Sequence, residues 1–224
     1  KIGANHKLPV KISAAIGKRA IAHLDQQNES DINLLTRLAK DHDAIATIKD
    51  GSLLFIAAGR GQTASGVALP VATITRADGD QHRFSISDRE QASAVKAYYQ
   101  DTRSAKKGEV TYSGQVEKKK TKAIQTDSDS VKTLRHTYAS KANAERAVRS
   151  EWQKCQRGVA SFSLTLAKGR PDLFPECPTI VQGWKPEIDN NDWLITKLTH
   201  SLADGGLSSQ IEFETAQSQP DEEK

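Results

Sequence analysis

HLDQQNESDINLLTRLAKDHDAIATIKDGSLLFI, residues 23–56, decides how the rest of the chain is read. It predicts a lead-in strand, a capped helix and a β-hairpin. Asn28 and Ser30 are both good N-cap residues, and Asp31 follows in the first turn, where the helix dipole favours a carboxylate. Ile32, Leu35 and Leu38 recur at helical spacing, with Leu34 widening the apolar stripe. His42 and Asp43 mark the stop. Two short apolar runs, residues 45–48 and 53–56, are then joined by Lys49-Asp50-Gly51-Ser52, and Asp-Gly between such runs is a strong hairpin signal.

Working outward, 224 residues suffice for one large domain or two small ones with a real core. Apolar residues make up 37% and aromatics only 5%, which fits a β-rich chain with much exposed or inter-subunit surface better than a compact enzyme. The formal charge of +4 is a mild excess of 32 basic over 28 acidic residues, too small for a nucleic-acid-binding stripe. The sequence holds no methionine, even at position one, so the chain is expected to begin inside a longer protein. Cys155 and Cys177 sit far apart without a partner motif and are read as reduced thiols, one of them on a helix face. No run approaches the ~18 apolar residues of a membrane helix, and no signal peptide is visible.

Toward the N-terminus, Gly3 and Asn5 suggest a helix stop, and Leu8-Pro9-Val10-Lys11-Ile12 is extended. After the hairpin, Gly59-Arg60-Gly61-Gln62-Thr63-Ala64-Ser65-Gly66 lacks the glycine-lysine-serine/threonine ending of a phosphate-binding loop, and is read as a flexible connection between modules. Residues 69–75 and 82–86 are expected to form a second hairpin around Ala77-Asp78-Gly79-Asp80. The loop is read as a tight turn, since the rest of a calcium-loop signature is missing.

Residues 95–100 read as a strand. Residues 101–130 are biased in composition: Arg103, Lys106, Lys107, Lys118, Lys119, Lys120 and Lys122 precede Asp127-Ser128-Asp129-Ser130, with few apolar residues to offset ordering. They are expected to be a solvated loop. Ser140 caps a second helix with Ala144, Val148, Trp152 and Cys155 on one face and an i,i+4 pair of Glu145 and Arg149 outside it. Gly158 stops that helix, which should lie across a sheet with Trp152 filling the gap. Beyond it, Ala160, Phe162, Leu164 and Leu166 alternate with Ser161, Ser163 and Thr165. Residues 179–184 and 193–202 read as strands, and Asp204-Gly205-Gly206 turns the last of these into a strand over 207–213. Short strands closed by turn residues suggest a barrel or sandwich. The core is expected to include Leu35, Leu38, Trp152, Phe162, Leu164 and Leu198.

The sequence shows no catalytic, cofactor-binding or metal-binding pattern. His6, His23, His42, His82, His136 and His200 are scattered, with no HxxxH or HExxH spacing and no cysteine pairs. There is no nucleophile elbow. Asp41 and Asp43 end a helix. Glu176 sits in a turn between Pro175 and Cys177, and His200 is read as a structural histidine in a strand.

Several of these motifs together closely resemble the late control gene D family of contractile-tailed phages. They are Glu29-Ser30-Asp31, Leu34-Leu35-Thr36-Arg37-Leu38-Ala39, the first hairpin, and Ala58-Gly59-Arg60-Gly61. The likeness continues through Ile74-Thr75-Arg76-Ala77-Asp78-Gly79-Asp80, Arg157-Gly158-Val159-Ala160-Ser161-Phe162-Ser163-Leu164 and Trp193-Leu194-Ile195-Thr196-Lys197-Leu198-Thr199-His200. It covers nearly the whole chain apart from the basic loop and the acidic tail. A fainter form of the helix–hairpin signature is found in the N-terminal region of VgrG spike proteins.

The resemblance implies a structural baseplate hub or tail-tip protein of a contractile phage tail, prophage or tailocin. Such a protein links tail tube to central spike as a ring-forming subunit. The expected fold is α+β and mainly β: a small helix-plus-hairpin module, then an antiparallel tail-tube-like β-barrel covered by one helix. The expected domains are residues 1–68 (the C-terminal part of a larger domain), residues 69–216 (the hub barrel, with the basic loop at 101–130), and an acidic tail at 217–224. Expected partners are further copies of the chain (a homotrimer in the full-length protein), the tail tube protein, the central spike protein and other baseplate proteins. No membrane or cofactor is expected, and nucleic acid is not an expected partner. The implied location is the tail baseplate of the virion, assembled in the cytoplasm of the bacterial host. An alternative is a nucleic-acid-binding or regulatory protein using Lys118, Lys119 and Lys120, but no aromatics interleave those lysines to stack on bases. A cell-wall-degrading tail enzyme would need an acid/base pair that the sequence does not display.

Overall fold

The computed structural model describes residues 1–18, 21, 24–87, 92–101, 106–113 and 130–216. The chain divides into two compact units: Lys1–Ala58 with Gln62–Ala68, and Gly59–Gly61 with Leu69–Lys224.

The first unit contains α1 (Ile2–Asn5), β1 (Val10–Ile12), α2 (Ala14–Gly17), α3 (Asp31–Asp41), β2 (Ala44–Lys49) and β3 (Ser52–Ala57). Ser30 caps α3, its Oγ accepting the Asn33 N–H at 3.3 Å. Asp43 ends the α3 turn with φ +50°. The hairpin forms where Asp-Gly requires it. Lys49 pairs with Ser52, and the two residues between them, Asp50 and Gly51, have φ +49° and +63°, the left-handed pair of a type I′ turn.

Two expectations change here. Residues 24–30 form no strand, and the third strand of this sheet is β1, parallel to β3. The segment before α3 is instead tied by Arg37, whose Nη2 donates to the Asp25 carbonyl and the Glu29 carboxylate. On α3, Leu34 and Ala39 are buried, Leu35 and Leu38 half-buried, and Ile32 is 48% exposed. The buried stripe therefore runs through Leu34, Leu35, Leu38 and Ala39 and leaves Ile32 outside it.

The second unit holds two sheets. One is six-stranded, in the order β4 (Ala72–Thr75), β10 (Pro178–Gln182), β11 (Trp193–Ala203), β12 (Gly206–Thr215), β9 (Ala160–Leu166), β5 (Gly79–Ile86). The other is three-stranded, β7 (Lys106–Tyr112), β6 (Ala94–Asp101), β8 (Val131–Tyr138). Helices α4 (Lys141–Arg157) and α5 (Pro186–Asp189) complete it, so the fold is α+β and mainly β.

The expected second hairpin does not form. β4 pairs in parallel with β10 and β5 antiparallel with β9, which places them at opposite edges of the six-stranded sheet. Only a 3-10 turn, Arg76–Asp78, separates them in sequence. Three residues span at most about 10 Å, so the sheet must curl until its edges approach one another, as a half-barrel does. Local chemistry sets this corner. The Asp78 carboxylate accepts both the N–H and the hydroxyl of Thr75, each at 2.7 Å, and turns the chain away from a hairpin path. Gly79 then lets β5 press on β9, where a Cβ would stand 2.5 Å from the Thr165 carbonyl oxygen.

Strand alternation builds the core of the curled sheet. Ala160, Phe162, Leu164 and Leu166 are all 1% exposed or less, and Ile211 and Phe213 face them from β12. Trp193, Ile74 and Val181 close the same cluster, with Leu198 half-buried against it. The indole of Trp193 donates to the Ile188 carbonyl at 2.8 Å, which satisfies its polar atom inside the core.

Residues 106–112 within the lysine-rich stretch are ordered as β7, contrary to the solvated-loop expectation, because Val110 and Tyr112 supply an apolar alternation that meets α4. β8 was not anticipated either. Lys118, Lys119 and Lys120, and the acidic residues 217–224, lie outside the described residues. Ser140 caps α4, accepting the Asn143 N–H at 3.3 Å. The apolar face of α4 lies on the three-stranded sheet, with Ala144, Val148 and Cys155 buried against Val95 and Ala97. Trp152 is half-buried there, edge-on to Tyr112 with ring centroids 5.5 Å apart. Glu145 pairs with Lys141 at 3.7 Å, while the Arg149 guanidinium lies over the Tyr112 ring.

Candidate functional site

The described histidines sit in structural surroundings. His6 bonds Asp31 at 2.9 Å, and His136 stacks edge-on with Tyr138. His82 lies beside Phe162 and Trp184, and His42 is buried at the end of α3. His23 lies outside the described residues. Among the described residues, no three His, Cys, Asp or Glu side chains gather as a metal site would require, and no helix is long and apolar enough to cross a membrane.

The arrangement closest to nucleophilic chemistry is His200 with Ser209, cross-strand partners on β11 and β12 whose side chains meet at 2.8 Å. Ser209 is 0% exposed, and its Oγ also accepts the Arg170 N–H at 3.1 Å. A hydroxyl so enclosed offers no path to a substrate, so the pair ties β11 to β12 toward the tip of their hairpin.

Two surface cavities hold charged groups. The first, of about 340 Å³, is lined by Lys132, Glu151, Lys154, Cys155, Arg157 and Glu214, among others. Lys132 reaches Glu151 at 2.7 Å, and that hydrogen bond holds its ammonium above the ordinary lysine range. A Schiff-base lysine needs the opposite shift. The second, of about 430 Å³, is lined by Asp78, Lys168, Arg170 and Asp172. Hydrogen bonds from the Thr75 backbone and hydroxyl keep Asp78 below the usual carboxylate range, and the Arg170 fork does the same for Asp172. Carboxylates held ionised in this way are not poised to donate protons near neutrality. Cys155 and Cys177 are buried thiols outside any disulfide, and burial pushes the Cys177 thiol upward.

A buried polar cluster emerges that sequence reading does not anticipate. Glu176 and Arg157 are 9% and 7% exposed, and Glu176 accepts the Gly59 N–H at 2.8 Å across 117 residues. No local pattern could announce that pairing. Gly59–Gly61 thereby packs within the second unit, where a free connection was expected.

Open strand edges are the other distinctive feature. β11 pairs with β10 only at Trp193 and Leu194, followed by the exchange of Ile195 with Glu176 and Cys177. Its pairing with β12 continues to Ala203 opposite Gly206. Along residues 197–203, no other described strand lies on the far side of β11, and Leu202 near the tip is 82% exposed. Unpaired N–H and C=O groups in such an edge are available to another chain.

Comparison with known proteins places the chain in a family. The family model described as phage tail baseplate hub (GPD) matches residues 2–206. Two curated relatives, each described as a probable baseplate hub protein, come from Escherichia phage 186 and Escherichia phage P2. They are 39% and 37% identical to this chain. Each alignment covers 95% of this chain and 62% of the relative, so the chain spans less than two thirds of their length. Among solved structures, the 43 kDa tail protein of prophage MuSo2 from Shewanella oneidensis superposes with a TM-score of 0.62 at 16% identity, covering 95% of this chain and 62% of that one. The tail protein of Neisseria meningitidis MC58 gives 0.63 at 14% identity, covering 95% and 64%. A chain of the native gene transfer agent virion gives 0.51 at 15% identity, covering 85% and 40%. At such identities the likeness speaks for the fold alone. The family match over residues 2–206 and two relatives above a third identical carry more: this chain belongs to the phage tail baseplate hub family.

Proposed function

We propose that this chain is a structural part of the baseplate hub at the tip of a contractile phage tail, working by assembly and catalysing no reaction. In this reading it is a ring-forming subunit of the virion, three copies to a ring in the full-length protein. It joins the tail tube on one side to the central spike on the other, and residues 69–216 carry the ring contacts. Family membership is the observation that carries the proposal. The edges of β11, β4 and β5 that pair with no further described strand supply surfaces of the right kind, since edges left unpaired within a subunit are covered when subunits close into a ring.

Light scattering on the full-length protein tests the ring. A three-fold species is expected, and a defined dimer would overturn it. Labelling of tail particles with an antibody to this chain, read by electron microscopy, should mark the tip and leave the shaft bare. Label spread along the shaft would overturn the location.

A further inference from the structure

We propose that Glu176 and Arg157 clamp the Gly59-Arg60-Gly61 turn, making this part of the connecting chain a fixed strap of the second unit and not a free hinge. The Gly59 N–H points at the Glu176 carboxylate at 2.8 Å inside the protein. A polar side chain only 9% exposed requires such a partner. The Arg157 side chain closes the other side: a Cβ on Gly59 would stand 2.5 Å from Arg157 Cδ and 3.0 Å from its Nε. Gly61 is pressed as closely, since its Cβ would meet Pro178 Cγ at 2.6 Å. Both glycines hold left-handed backbone, φ +74° and +56°, so the turn needs glycine for conformation as well as for space. The returning limb is tied too, with the Leu69 N–H donating to the Gly61 carbonyl at 2.8 Å.

The jaws are themselves anchored. The Glu176 N–H donates to the Ile195 carbonyl at 2.7 Å, and Glu176 holds φ +70°, rare for a residue with a side chain. The Arg157 carbonyl, at the end of α4, accepts the Thr215 hydroxyl at 2.9 Å. A strained backbone and two buried charged residues converging on one glycine make a device for holding that turn. The proposal does not depend on the hub assignment.

Hydrogen exchange read at single residues, combined with limited trypsin digestion at Arg60, tests it on this chain. The Gly59 amide should exchange on the order of 100-fold more slowly than an unprotected amide, and the Arg60–Gly61 bond should resist cleavage. Glu176→Gln keeps an acceptor oxygen and should retain part of the protection. Glu176→Leu should abolish it and make Arg60 an early cut, with protection in β9 and β12 unchanged. Wild-type Gly59 exchanging within a few-fold of the free rate would overturn the proposal. So would a Glu176→Leu protein with Gly59 still protected and Arg60 still uncut. Should Glu176→Leu fail to fold, the wild-type rate and the Glu176→Gln protein decide alone.

Discussion

Phe162 and Phe213 are register partners on neighbouring strands, and their rings stack at 5.6 Å between centroids with planes 26° apart. Phe162 also touches Trp193 and Trp184, at 5.6 and 5.3 Å. It is therefore the hub of the aromatic core of the curled sheet. Phe162→Ala should destabilise the second unit by about 3–5 kcal/mol, through lost transfer energy and the cavity left behind. Urea unfolding followed by tryptophan fluorescence measures it. A loss under about 1 kcal/mol would mean the neighbours collapse into the space.

Helix caps offer a smaller and cleaner test. The Ser140 hydroxyl accepts one of the otherwise unpaired N–H groups at the start of α4. Ser140→Ala should cost about 1 kcal/mol, and Ser140→Asp should be close to neutral. Chemical denaturation of the two variants separates the cap from the packing of the helix.

The corner between β4 and β5 depends on Gly79. Its φ of −156° is ordinary extended backbone, so the argument there is space alone: a Cβ would lie 2.5 Å from a β9 carbonyl oxygen. Gly79→Ala should destabilise by about 1–3 kcal/mol. Gly205→Ala, at a position with open space around it, should change stability very little. Thermal melts of the pair compare a blocked site with a free one.

Acid stability should follow Asp78 and Asp172. Both folded carboxyls titrate below their ordinary value of 3.8, because the Thr75 and Arg170 hydrogen bonds favour the charged form. A depressed folded pKa stabilises the native state above the unfolded pKa, and the contribution is lost as pH falls through the folded one. The wild-type protein should hold these contributions at neutral pH and lose them below about pH 4. Asp78→Asn should be less stable than wild type at neutral pH and show a shallower decline in acid. Denaturation curves from neutral pH to about pH 2 read the slope.

Thiol reactivity should report folding. Both cysteines are buried, and the Cys177 thiol is raised further from its reactive thiolate form. The native protein should react slowly with a disulfide reagent, and the unfolded chain should titrate two thiols promptly. Fast reaction in the native state would place a cysteine at the surface.

Local chemistry made much of the chain legible in advance. Ser30 and Ser140 cap their helices, Asp50-Gly51 makes its hairpin, and the alternation through Phe162 and Leu164 builds a buried strand face. These features follow from neighbours within a few residues, so the order of residues already contains them. The hairpin expected between residues 69–75 and 82–86 went wrong for the opposite reason. A turn signal shows that the chain reverses, but not which strand it will lie beside.

By itself, then, the sequence determined the two long helices with their serine caps, the Asp50-Gly51 hairpin, the alternating strand at Phe162 and the family. Only the tertiary structure decided that β4 and β5 take opposite edges of one curled sheet, and that β7 grows out of a lysine-rich stretch. It alone brought Glu176 to Gly59 across 117 residues. Strand pairing and burial of charge depend on groups far apart in sequence, and their energies are settled only when the whole chain closes around them.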